Sequence, residues 1–273
     1  RPAAGAVRWS GEPIATDPEA PTFENTIVAL ERSGRLLARV DATFSTLSRA
    51  KTTNAMDEIR SDVAPRLAVH DDQILLNAGL FERIKVLHER LDNLSLDDES
   101  RRLVDEYYTD FVRAGAELSG SQKTRMQAIN AELASLETRF SRNVLDEVNA
   151  SAVVVESRDT LIGLPEEQIT AAAAAARARG VDGQYVLALL NTSGQPIVSL
   201  LEDRALRERI TRVSFERGSR GGDFDNRYVV SRMARLRAER AQLLGYPHHA
   251  AYILEEQTAR TVEAVNERLT NLV

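Results

Sequence analysis

The segment LLGYPHHAAYILEEQTAR, residues 243–260, sets two adjacent histidines and two adjacent glutamates on one short stretch. These residue types bind metal ions or move protons. Their spacing argues against both. Neighbours on a helix point about 100° apart, so His248 and His249 cannot readily chelate one ion. A zinc-binding helix instead places His at i and i+4, with Glu at i+1 as general base. By the same geometry Glu255 and Glu256 diverge, and the sequence reads them as a solvated helix face rather than an acid/base pair.

The other candidates weaken in similar ways. HERLD supplies His88 and Glu89, but Asp92 stands where a second His is needed, so an ordinary helix residue is expected at His88. His70 lies on an apolar helical stripe and reads as a core or boundary histidine. DFDNRY, from Asp223, begins like a calcium loop, yet Arg227 replaces a ligand and Tyr228 the turn glycine; Asp223 or Asp225 serves better as a helix cap. Arg232, Arg235, Arg237 and Arg240 are interrupted by Glu239 and read as a solvated or ion-paired face. No G-x-S-x-G elbow, phosphate loop or dinucleotide fingerprint is present. The residues by themselves therefore supply no catalytic residue and no metal ligand, and they leave substrate-binding residues unassigned.

Composition narrows the class. Among 273 residues, 41 are acidic and 35 basic, a net charge of −6 that gives no footprint for nucleic acid or an anionic membrane. The absence of cysteine excludes thiolate sites and disulfides and fits a reducing cytoplasm. No apolar run approaches the roughly 20 residues that span a bilayer, and RPAAGAVRWSGEP lacks a signal peptide's apolar core. The first residue is Arg, not Met, so a trimmed start is expected.

The elements that would position any site are helical. Ile27, Leu30, Leu37, Val40, Phe44 and Leu47 predict one helix from Thr22 to Ser48, weakened at Gly34. Ile59, Val63, Leu67, Ile74, Phe81 and Ile84 predict two more, with Pro65 marking a kink or a fresh start. Asp97 or Asp98 caps a helix striped by Leu103, Tyr107, Phe111, Ala114 and Leu118. Met126, Ile129, Leu133, Leu136, Phe140 and Val144 predict some thirty helical residues from Ser119, about 45 Å long, with the stripe as core. SAVVVES (151–157) and QYVLALL (184–190) read as strands flanking a helix that starts near Pro165 and stops at Gly180. After the NTSGQP turn, helices resume, the last capped by Thr261 and expected to run unterminated to Val273, as though the chain were incomplete. The expected fold is mainly α: a multi-helical body of long antiparallel helices with a minor two-stranded β element. Its expected divisions are 1–20 as an extension or trimmed start, 21–150 as a long-helix region and 151–273 as a helical region with short strands.

Several stretches together resemble the N-terminal region of the thimet oligopeptidase family of zinc peptidases, especially its bacterial dipeptidyl carboxypeptidase and oligopeptidase A branch. They are PTFENTIVALERSG (21–34), SRRLVDEYYTDFVRAGAELS (100–119), IGLPEEQITAAAAAARARG (162–180), NTSGQPIVSLLEDRALRERI (191–210) and residues 225–260. The resemblance implies a parent enzyme that hydrolyses short peptides with zinc, through an HExxH helix and a later Glu that these residues do not include. It implies a cytoplasmic scaffold forming one wall of a peptide channel. The implied partners are oligopeptides and the protein's own catalytic domain, with no nucleic acid and no membrane. Zinc would sit in the catalytic domain and not in this chain. The competing expectation is a stand-alone helical interaction module without catalysis.

Overall fold

The computed structural model describes residues 8–9, 12–51, 53–190 and 194–272. Part of the expected NTSGQP turn, residues 191–193, and the expected end at Val273 lie outside them. Short strands β1 (Arg8–Trp9) and β2 (Glu12–Pro13) pair antiparallel, a pairing the sequence did not predict. Thr22 and Asn25 then cap each other reciprocally: the Thr22 hydroxyl accepts from the Asn25 amide at 3.1 Å, and the Asn25 side chain accepts from the Thr22 amide at 2.8 Å. A π-helical stretch, Phe23–Val28, follows and leads into α1 (Ala29–Arg32).

The single helix expected from Thr22 to Ser48 is broken. Gly34 adopts φ +66°, where a side chain would be strained, and α2 (Arg35–Ala50) starts anew from it. Ile27 and Leu30 are buried as expected, but Leu37, Val40 and Leu47 on α2 are exposed. Helix α3 (Asn54–Leu75) runs through Pro65 without ending; the two expected helices meet instead at Asn77, whose side chain accepts from the Leu80 amide to cap α4 (Ala78–Glu89). Asp97 caps α5 (Asp98–Ala114), and Gly115, at φ +105°, ends it.

Helix α6 (Gly120–Ala150) has 31 residues, matching the long periodic stripe. Met126, Ile129, Leu133 and Leu136 are buried, but Phe140 is 37% exposed and Val144 only half-buried, so the core stripe stops two positions short of its expected end. Strands β3 (Val153–Val155) and β4 (Tyr185–Leu187) pair antiparallel, with Val154 opposite Val186, and α7 (Glu166–Ala178) connects them. Asp203 caps α8 (Arg204–Phe215); α9 (Arg227–Leu243), α10 (His249–Leu254) and α11 (Val262–Thr270) complete the chain. Helix α11 is capped by Thr261 as expected, and it closes at Thr270, before the last residues. The expectation of a helix running on to the final residue is therefore corrected.

The chain forms two compact units, one of residues 1–136 and 233–273, as far as these are described, and one of residues 137–232. The first has a core of Ile14, Ile27, Leu30, Leu80, Phe81, Ile84, Leu87, Val104 and Phe111. Buried Arg83 ties the leading segment to it, donating to the carbonyls of Asp17 and Glu19 at 3.0 and 2.9 Å and to Asn25 Oδ1 at 2.9 Å. The second unit packs β3, β4, α7 and α8 around Val153, Val155, Leu161, Ile169, Leu187, Leu206 and Ile210. Gly163, at φ +99°, lets two backbones touch there: a Cβ would lie 2.0 Å from the Leu200 carbonyl oxygen. Polar side chains finish the sheet. Arg209 Nη1 donates to the Val154 carbonyl at 2.9 Å, and beyond β4 the Gln195 amide pairs with both the N–H and the C=O of Leu190, at 2.9 and 3.0 Å.

Candidate functional site

The densest polar cluster is built on Arg113, in the last turn of α5. Its guanidinium contacts both Glu255 and Glu256, the latter at 3.1 Å. It also donates to the Tyr252 carbonyl at 2.7 Å and to the Tyr246 hydroxyl at 3.2 Å, and lies 4.6 Å from the Tyr252 ring centre. Tyr246 and Tyr252 meet edge to face at 5.2 Å. The Tyr246 hydroxyl donates to Glu255. Burial first, then Glu255, pushes the Tyr246 phenol up to about 12, which keeps it a donor at neutral pH. Nearby Asp110 is raised by burial, then by the charges of Glu256 and Glu106, with Arg113 opposing.

Glu255 and Glu256 are exposed, as expected, but they converge on one cation instead of diverging as their adjacency predicts. The 100° rule needs a helix, and α10 ends at Leu254, so both carboxylates are free to turn onto one cation. One guanidinium gathers two carboxylates, and the chemistry of the cluster is cohesion: it pins the segment after α9 to α5. Arg113 and the two tyrosines were missed by sequence reasoning because the partners are 133 to 142 residues apart and carry no local signature.

The histidines also find structural roles. His248 is the N-cap of α10, its Nδ1 accepting from the Ala251 amide at 3.0 Å. His249 is half-buried against Tyr252; burial, then Arg240 and Arg237, lowers its pKa and favours the neutral ring. His88 stacks on Tyr108 at 3.9 Å and reaches Asp105 at 3.4 Å. Asp92 lies beyond the end of α4, in a 3-10 turn, and reaches Arg101 instead. His70 is half-buried on α3.

The arginine run on α9 is tied into its surroundings. Glu239 takes a two-pronged bond from Arg125 at 2.5 and 2.7 Å. Arg240 Nη1 reaches Asn130 at 3.5 Å, and Asn130 donates to buried Asp72 at 2.7 Å, whose carboxyl is raised chiefly by burial. Of the two expected caps for α9, Asp225 serves: it accepts from the Arg227 amide at 2.9 Å and is lowered to about 2, mainly by the Arg227 side chain.

In the second unit a cleft of about 800 Å³ is lined by Phe140, Val144, Gly218, Asn226, Val230 and Ser231 among others. Its frame is a buried amide pair, Asn143 donating to Asn226 Oδ1 at 2.9 Å, with Asn226 donating to the Phe140 carbonyl at 3.2 Å. Buried Glu147 braces the rim by accepting from the Gly218 amide and pairing with Arg220 at 3.4 Å. The cleft is apolar, with side-chain amides, a serine and arginines around it; it sets no nucleophile beside a base. Among the described residues no three His, Asp or Glu side chains gather as a metal-binding set, so the described donors do not fit a zinc ion.

This helical scaffold is similar to part of several peptidases. Residues 198–273 match the model of Peptidase family M3. Dipeptidyl carboxypeptidase of Escherichia coli K12 is 36% identical over 260 residues, covering 95% of this chain and 38% of that protein. Oligopeptidase A of the same strain is 28% identical over 255 residues, 92% of this chain and 37% of that one. The thimet-like oligopeptidase of Dictyostelium discoideum is 20% identical over 268 residues. The chain is a relative of the M3 peptidases, and it spans 38% of the length of the dipeptidyl carboxypeptidase it matches.

Proposed function

We propose that the chain is the N-terminal scaffold of a zinc-dependent oligopeptidase or peptidyl-dipeptidase, forming one helical wall of a channel for short unstructured peptides. The catalytic HExxH region would belong to the part of the protein that these residues do not span. The observation that carries this reading is the alignment of 95% of the chain with 38% of a dipeptidyl carboxypeptidase. The internal use of the histidines and of the Glu255–Glu256 pair supports it, since these groups hold helices together. No reaction step is assigned to the described residues. A cytoplasmic location goes with the proposal; among the described residues no helix is long and apolar enough to cross a membrane, and one relative from Arabidopsis thaliana is named a probable cytosolic oligopeptidase A.

The test compares this chain with a protein extended through the missing region on a quenched-fluorescent oligopeptide. The extended protein should cleave it and stop when zinc is chelated, while the 273-residue chain should not. Zinc-dependent cleavage by the purified chain would overturn the reading.

A further inference from the structure

Helix α8 carries a distinct set of residues on the side away from its core. At about 100° per residue Arg204, Thr211 and Phe215 fall within about 40° of one another, with Arg207 at their edge, opposite buried Leu206 and Ile210. They wall a cleft of about 630 Å³, with half-buried Val198 beside them. Phe215 is 78% exposed, more than any other large apolar side chain among the described residues. Arg204 makes no hydrogen bond or ion pair among the described residues. Arg207 Nη1 donates to the carbonyls of Leu201 and Glu202 at 2.9 and 2.7 Å, neutral acceptors that hold the guanidinium in place and leave its charge uncompensated. Glu208, the one acid lining the cleft among the described residues, is paired with Arg212 at 2.6 Å.

We propose that this cleft binds an extended peptide segment in which carboxylate side chains stand three or four residues from a bulky apolar one. The proposal goes beyond the scaffold reading and does not depend on it. Charge selects the acids. Two guanidiniums whose charge no carboxylate offsets, in a chain whose net charge is −6, favour an anion and penalise a basic segment. Spacing selects a peptide: Arg207 and Phe215 stand eight residues apart on the helix, about 12 Å, which three to four extended residues span. A phosphate group fits less well, because the amide end of α8 that would receive it already holds a carboxylate. There Asp203 Oδ1 accepts from the Leu206 amide at 2.6 Å.

Calorimetric titration of this chain with acetyl-Glu-Glu-Ala-Gly-Phe-amide, whose blocked ends leave only side-chain charges, tests the proposal. The peptide should bind at least about tenfold more tightly than the same peptide with both Glu replaced by Lys, or with Phe replaced by Ser. Arg204→Gln and Phe215→Ser should each weaken binding at least about fivefold and leave the melting point unchanged, because the first side chain holds nothing else among the described residues and the second is exposed. Arg177→Gln, at an exposed position on α7 outside the cleft, should change neither. No measurable binding, equal binding of the Lys peptide, or undiminished binding by Arg204→Gln would overturn the proposal. So would displacement of the peptide by an equal concentration of ADP, which means a phosphate site. Loss of binding in the protein extended through the missing region, measured with zinc chelated, would overturn it as well, since the cleft would then seat a segment of the protein's own chain.

Discussion

Replacing Arg113 by Ala should destabilise the chain by about 2 to 4 kcal/mol. Arg113 is 11% exposed, and its 2.7 Å bond to the Tyr252 carbonyl is a charge-assisted bond of the kind that contributes roughly 1.5 to 3 kcal/mol. The stacking on the Tyr252 ring at 4.6 Å adds about 0.5 to 1 kcal/mol. The carboxylates count for less. Glu255 and Glu256 are 53% and 44% exposed, so water screens each pair and each is worth about 0 to 1 kcal/mol; water also rehydrates both acids once the cation is gone. Urea unfolding measures the total, and hydrogen exchange should localise the loss to residues 246–256. Arg113→Lys keeps the charge but loses the planar fork, and should recover only part of the difference. A loss below about 0.5 kcal/mol, or exchange that rises evenly across the unit, would refute the clamp.

Leu136→Ala should cost about 2 to 5 kcal/mol, whereas Phe140→Ala should cost under about 1.5 because Phe140 is 37% exposed where Leu136 is 8% exposed. Thermal melts of the pair distinguish these. Asp72 has a folded-state pKa raised by burial, so its contribution is most favourable below its ordinary 3.8 and is lost as pH rises through the raised value. Asp72→Asn should therefore be more stable than the natural chain at neutral pH, and this advantage should vanish in urea titrations below the ordinary value. Metal analysis after dialysis should find no stoichiometric zinc on the chain. One zinc per chain, lost on replacing His88 or His248, would reverse the roles assigned to those rings.

Local signals carried far where the local chain decides the outcome. Asp97 and Gly115 bound α5 because a side-chain acceptor and a left-handed glycine work within a few residues. The long period of α6 and the β-branched run at β3 were legible for the same reason. Periodicity also shows that α2 is amphipathic, but the presence of a covering element is a tertiary fact, and Leu37, Val40 and Leu47 are exposed. The break at Gly34 was only half legible: a glycine lowers helix propensity, yet the left-handed turn it makes depends on its neighbours. The convergence of Glu255 and Glu256 was not legible because α10 ends at Leu254, just before them, and because Arg113 is remote in sequence.

The finishing of the small sheet by Arg209 and Gln195 has a consequence for solubility. A two-stranded sheet has only edges, and open edges recruit strands from other molecules into aggregates. Here a guanidinium occupies the Val154 carbonyl, and a glutamine amide imitates a neighbouring strand by filling both backbone groups of Leu190. In the folded unit these side chains hold backbone groups that an incoming strand would otherwise use beside the β-branched run Val153–Val155.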